Sequence, residues 1–200
     1  MSRTRIAVAG AGYIGRAHID AARHSTTVML SAVVDPSPDA KAHADAAGVP
    51  LYASLAELFS QDKPDGMVLA TPNQLHVPQA MQCIAAGVPT LLEKPIAQTV
   101  AQAETLVRAV EASQARVLIG HHRAHSPIMA KAREVVASGV LGRLVAVTGT
   151  AMFFKPDQYF ADGPWRRELG AGPILLNMIH EVHNLRMLAG EVVAVQAFAS

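Results

Sequence analysis

The sequence predicts an α/β protein: a doubly wound parallel sheet with helices on both faces, followed by the start of a second, α+β part. Three observations carry this. Short β-rich runs alternate with helical stretches over about the first 120 residues, which is the pattern of crossover units. The strands read as continuous apolar runs, as they do when both faces of a sheet are covered. The alternation stops after Gly120.

Residues 5–9 form the first strand, and 14–23 a helix. A strand at 29–34 leads to a helix at 38–47, stopped by Gly48. "SLAEL" sets Ser54 three residues before Glu57, a capping-box spacing that opens a short helix. Residues 66–70 are a strand, 74–86 a helix ended by Gly87, and 89–92 a strand. Thr99 with Gln102 is a second capping box, starting a helix to about Ser113, and 116–120 is a strand.

Ser126-Pro127 is a helix start, a side-chain cap followed by proline in the first turn, and that helix ends near Gly139. Residues 143–154 are β-prone with partial alternation. An irregular stretch at 155–173 is rich in glycine, proline and aromatics. A helix at 174–188 and a strand at 192–199 follow. The expected domains are 1–122 and 123–200, joined without a Pro/Gly/Ser linker. The second part is small for an independent sheet and stops within β-like material. The expectation is a piece of a longer protein, or a tail that pairs with something else.

Half of the residues are hydrophobic and 16% charged, enough for a buried core. A net charge of +1 with no basic run excludes an electrostatic case for nucleic-acid or acidic-membrane binding. The single cysteine, Cys83, allows no intrachain disulfide and reads as a small buried hydrophobe. No apolar run approaches the ~18 residues of a membrane span. The N-terminal "MSRTRIAVAGAGYIG" looks like a signal peptide at first, but three glycines interrupt it and a charged helix follows, so it reads as a first strand and turn. The expected location is the cytoplasm.

"GAGYIG" places Gly10, Gly12 and Gly15 between a strand and a helix, 20 residues before Asp35 at the end of the next strand. That context is a dinucleotide fingerprint. Gly10 allows the tight turn, Gly12 lets the backbone approach a diphosphate, and Gly15 lets the helix pack on the strand. With Tyr13 and Ile14 they form a helix N-terminus that offers N–H groups to phosphates. Asp35 would accept from ribose hydroxyls and repel a 2′-phosphate. Pro36 and Ser37 follow it rather than an arginine, which favours NAD over NADP.

"PTLLEKPIA" puts Glu93, Lys94 and Pro95 at the carboxyl end of a buried strand, where ligands sit in open α/β sheets. Lys94 reads either as a donor to a substrate oxygen or as a lysine snorkelling from a strand end. "TPNQLH" brings Thr71, Asn73 and His76 to the same sheet edge.

The combination of "GAGYIG", "TPNQLH", "LLEKP" and "NMIHEVHNLR" resembles the Gfo/Idh/MocA oxidoreductases over essentially the whole chain. The resemblance implies a Rossmann domain and an α+β domain with a mostly antiparallel open sheet that forms homo-oligomers. It also implies a nicotinamide cofactor, a sugar, inositol or related polyol as substrate, and a family length well above 300 residues. Lys94 resembles the family's catalytic lysine, in a Lys94–Pro95 bond that is often cis. Thr71, Asn73, His76 and Glu93, with Lys94, resemble its nicotinamide-side contacts. His180 resembles its catalytic histidine. Many members carry aspartate where this chain has Leu176 and His183. Asn177 matches a subgroup with asparagine at that place and is a candidate for orienting the substrate.

On a wheel of ~100° per residue, Ile174, Leu175, Met178, Val182 and Leu185 share an apolar side, and Asn177, His180, Glu181 and Asn184 a polar stripe. His180 can be a proton-transfer group or a structural polar contact, and His183 a core-edge residue or a support to the substrate. No third-ligand signature accompanies the two histidines, so no metal is expected. His121, His122 and Arg123 at the domain junction, and Trp165 and Arg166 in "GPWRR", are candidate substrate contacts or local packing groups.

The expected chemistry is hydride transfer from a secondary alcohol, with His180 taking the proton and Lys94 stabilising the oxyanion. A competing reading is an NAD(H)-binding redox sensor without turnover.

Overall fold

Strand residues divide between two cores with a period of two. In the computed structural model, which describes residues 3–168 and 170–198, Ala7 and Ala9 of β1 (Thr4–Ala9) pack in one apolar cluster and Val8 in the other. The same split separates Ala32 and Val34 from Val33 in β2 (Val28–Val34), and Met67 and Leu69 from Val68 in β4 (Gly66–Leu69). Successive side chains leave a strand on opposite faces, so each strand needs apolar residues throughout when both faces are covered. Leu58, Leu69 and Leu92 are fully buried, each adding about 1.5–3 kcal/mol by removal from water.

The chain divides into two compact units, 1–120 and 121–200. In the first, six parallel strands lie in the order β3-β2-β1-β4-β5-β6. Here β3 is Leu51–Tyr52, β5 is Thr90–Glu93 and β6 is Val117–Gly120. The order reverses between β1 and β4, and ligands bind outside the carboxyl ends of strands at such a switch point. Helices α1 (Tyr13–His24), α2 (Ala40–Ala47), α3 (Leu55–Gln61), α4 (Asn73–Ala85) and α5 (Val100–Ser113) connect the strands.

The caps form as the sequence suggests, with one refinement. Ser54 accepts from the Glu57 N–H at 3.2 Å and Thr99 from the Gln102 N–H at 3.3 Å. The reciprocal arms reach one residue further back than a capping box requires: Glu57 accepts from the Ala53 N–H at 2.8 Å, and Gln102 from the Gln98 N–H at 3.2 Å. Gly48 closes α2 in the left-handed region at φ 68°, which glycine enters without a Cβ penalty. Strand β3 has no counterpart in the sequence reading. Two residues carry no period, and only pairing with Val33 and Val34 makes them a strand.

The second unit is helical among the described residues. Ser126 caps α6 (Pro127–Ala137) by accepting from the Met129 N–H at 3.2 Å. The stretch expected to be irregular contains α7 (Asp157–Ala161) and a 3₁₀ turn, Pro164–Arg167. A π-helical turn, Ile174–Met178, runs directly into α8 (Ile179–Ala189).

Two expectations are not met here. The expected strand at 143–154 has no strand hydrogen bonding, and neither does 192–198; Ala199 lies outside the described residues. A strand exists through its ladder, and no described segment pairs with these two. Their large apolar side chains stand in solvent, with Val145 84% and Val193 99% exposed. The apolar side assigned to 174–188 is also displaced. Ile174, Met178 and Val182 are exposed, whereas Leu176 and His180 are buried. A π turn closes i→i+5 bonds, so the ~100° wheel loses its phase across 174–178. No helix among the described residues is long and apolar enough to cross a membrane.

Candidate functional site

Gly10, Gly12 and Gly15 occupy three different environments. Gly10 has φ 88°, and a Cβ there would stand 2.5 Å from the Ala70 carbonyl oxygen. A Cβ on Gly15 would stand 1.7 Å from the Gly10 oxygen. The turn and the helix are thus closed onto the sheet at both points. A Cβ on Gly12 would meet nothing within 4 Å. Gly12 is the N-cap of α1 and brings no side chain to that helix end, so the N–H groups of Tyr13, Ile14 and Gly15 open the helix at its partly positive pole. A diphosphate fits this cradle. Tyr13 is 80% exposed.

Asp35 follows β2 and holds the same turn. Its Oδ2 accepts the Ala11 N–H at 2.7 Å, and its Oδ1 accepts the Ser37 N–H at 2.8 Å. A carboxylate oxygen has a second lone pair, so both remain able to accept from a ribose hydroxyl.

At the ends of β4 and β5 the polar residues interlock. His76, fully buried on α4, places Nδ1 2.6 Å from the Pro95 carbonyl oxygen and Nε2 2.9 Å from that of Thr71. Burial pulls this imidazole below its ordinary value, against the two carbonyls, which favour the protonated ring. A neutral imidazole carries one N–H, so His76 donates to one of these carbonyls, binding α4 either to the loop after β5 or to the loop after β4. Thr71 donates from Oγ1 to Gln79 Oε1 at 2.6 Å. Asn73 is buried at the first position of α4. The Lys94–Pro95 peptide is cis, and Lys94 is half-buried.

Glu93 is 4% exposed. Its Oε1 pairs with His18 Nε2 at 2.8 Å, and its Oε2 accepts the Lys94 N–H at 3.3 Å. Burial raises its carboxyl, but the His18 hydrogen bond and charge, with the Lys94 N–H and ammonium, outweigh burial and hold it below the usual carboxylate range. His18 is a residue the sequence reading passed over. The available signal was its place three residues after Gly15, on the face of α1 that packs on the sheet.

The second unit gathers four imidazoles. His121 stacks on His183 with centroids 4.4 Å apart and planes 9° apart. His122 meets His180 edge-on at 4.8 Å, and His121 meets it at 6.3 Å. His180 is buried. Arg123 donates to Glu181 Oε1 at 2.5 Å. Glu181 Oε2 and Asn184 Oδ1 are shielded from solvent, and no hydrogen bond among the described residues reaches them. Asn177 is half-buried in the π turn. Arg166 is held in its own loop, where its guanidinium covers the Tyr159 ring at 4.1 Å and donates to the Tyr159 carbonyl. Trp165 lies 5.5 Å from that guanidinium.

Comparison with known proteins gives a consistent picture. Residues 4–121 match the oxidoreductase family with an NAD-binding Rossmann fold, GFO/IDH/MocA, and residues 129–200 match the GFO/IDH/MocA C-terminal domain. The rhizopine catabolism protein MocA of Rhizobium meliloti is 29% identical over 96% of this chain and 59% of its own length. An inositol 2-dehydrogenase of Corynebacterium glutamicum is 31% identical over 72% of this chain and 44% of its own length. The crystal structure of the WlbA dehydrogenase of Bordetella pertussis, in complex with NADH and UDP-GlcNAcA, superposes with a TM-score of 0.88 at 26% identity, over 94% of this chain and 59% of that one. The chain therefore spans about half the length of the relatives it matches.

Proposed function

The chain belongs to the Gfo/Idh/MocA oxidoreductase family, and from that premise we propose that it is the nucleotide-binding and catalytic part of an NAD-dependent dehydrogenase. Its substrate is a secondary alcohol of a sugar, inositol or related polyol. The observation that carries this reading is Gly12, open at the start of α1 while Gly10 and Gly15 are closed against backbone. Asp35 favours NAD over NADP, because a 2′-phosphate would meet its carboxylate.

Gly10, Gly12 and the N–H groups of Tyr13, Ile14 and Gly15 hold the diphosphate, Asp35 the ribose, and Thr71, Asn73 and Glu93 line the nicotinamide side. The bound cofactor supplies hydride acceptance. Lys94 holds the reacting oxygen and stabilises its developing negative charge. His180 removes the hydroxyl proton. His122, His183, Arg123, Asn177, Trp165 and Arg166 contribute substrate contacts. The shielded acceptors on Glu181 and Asn184 support a substrate rich in hydroxyl donors, since a buried acceptor is costly without a donor. The β-prone segments at 143–154 and 192–199 supply strands of an antiparallel sheet through which copies associate.

Incubation of the protein with NAD and a panel of inositols and aldoses, followed by absorbance of NADH, tests this. Lys94→Ala and His180→Ala each lower turnover by about 10²–10⁴-fold. Near-wild-type turnover in both variants sinks the assignment.

A further inference from the structure

The helix that begins at the glycine turn and the strand that ends at Glu93 are joined by one pair of side chains. His18 Nε2 lies 2.8 Å from Glu93 Oε1, between residues 75 positions apart in sequence. Gly15 sets up the approach, because its missing Cβ lets α1 close onto the sheet, and His18 follows on the same helix face. Gly120, the partner of Glu93 in the β5–β6 ladder, leaves room beside the carboxylate. A Cβ there would stand 3.1 Å from the Glu93 carboxyl carbon. The carboxylate is thus fixed by α1 on one side, by the Lys94 N–H on another, and by a glycine that leaves it room.

We propose that His18 is a positioning residue for the nicotinamide end of the site, holding Glu93 anionic and in place so that Lys94 leaves the strand beside a fixed negative charge. This rests on the dehydrogenase reading for its purpose and on unit 1–120 alone for its geometry. A carboxylate as buried as Glu93 keeps its charge only with partners. The ionisable groups acting on it are His18 from α1, Lys94 after β5 and His76 from α4, while Gly120, its register partner in β6, brings no side chain to it. Removing His18 leaves burial opposed mainly by Lys94, so the carboxyl titrates at higher pH.

The test is a carbon-detected NMR titration of the Glu93 carboxyl in the 200-residue chain, for wild type, His18→Leu and His18→Gln. His18→Leu raises the midpoint by about one pH unit or more. His18→Gln, which keeps an N–H donor without the cation, raises it less. The His18 side chain is 25% exposed, so neither change opens a sealed cavity; if the leucine variant does not fold, the glutamine variant against wild type decides. A midpoint that stays put in the folded variants overturns the proposal. NADH binding followed across the same pH range adds an acid limb in His18→Leu at higher pH than in wild type. A chain that binds no NADH at any pH defeats the dehydrogenase reading, while the carboxyl titration still decides the role of His18.

Discussion

Asp35 Oδ2 accepts the Ala11 N–H at 2.7 Å and so ties the end of β2 to the turn that follows β1. The carboxylate proposed to read the ribose is therefore also a brace for the glycine turn. Asp35→Ala removes two charge-assisted hydrogen bonds, to Ala11 and Ser37, and lowers stability by about 1.5–3 kcal/mol as well as NAD affinity. Asp35→Asn keeps an acceptor oxygen, retains more of the stability, and narrows the preference for NAD over NADP. Urea unfolding beside titrations with both nucleotides separates the two roles. An unchanged urea midpoint in Asp35→Ala would show that the brace contributes nothing.

The glycines should divide by what they approach. Gly15→Ala forces a Cβ to 1.7 Å from the Gly10 oxygen, a backbone clash that no rotamer relieves. The expected loss exceeds about 4 kcal/mol, in the exceptional range for one substitution. Gly12→Ala meets nothing within 4 Å and costs about 1 kcal/mol through the poorer N-cap, yet it abolishes nucleotide binding. Thermal unfolding with and without NADH distinguishes them, and equal destabilisation by the two changes would contradict the environments described.

Acid sensitivity should arrive in two steps. Burial lowers the His76 pKa, so the unfolded chain binds more protons once the pH falls below about 6.5, and stability declines from there down to the folded value. Glu93 is also held below its ordinary value. Its contribution is complete above about pH 4.3 and is lost as the pH falls through the lower, folded value. His76→Gln should flatten the upper step and leave the lower one. Urea midpoints measured across this range check it, and an upper step that persists in His76→Gln would assign it to another group.

Cys83 should be inert in the native chain. It is fully buried and its thiol is pushed up to about 11 by burial, against a hydrogen bond with Thr90. Thiolate is the reactive form, so a disulfide reagent at about pH 8 should label it only as fast as the chain opens. Rapid labelling of the folded protein, at the rate of a free thiol, would exclude this packing.

What could be read from the sequence is what near neighbours decide. The glycine turn, the caps at Ser54, Thr99 and Ser126, and the apolar runs of the strands each depend on a few residues of local chain, through φ preferences, short hydrogen bonds and a period of two. Asp35 was legible because the βα unit fixes its distance from the turn. The fold class followed from these, and with it the sheet edge where ligands are expected.

Other features formed only when distant segments met. Strand β3 is two residues made into a strand by β2. The pairing of His18 with Glu93 and the approach of His76 to the Pro95 carbonyl join groups that no local spacing relates. The π turn at Ile174–Met178 shifts a helix face that an α-helical wheel would place elsewhere. Residues 143–154 show the converse, β-prone chain with no strand where no described segment completes a ladder. Local preference sets what a segment can become, while burial and partners, which exist only in the folded chain, set which of its polar groups are held, charged and aimed.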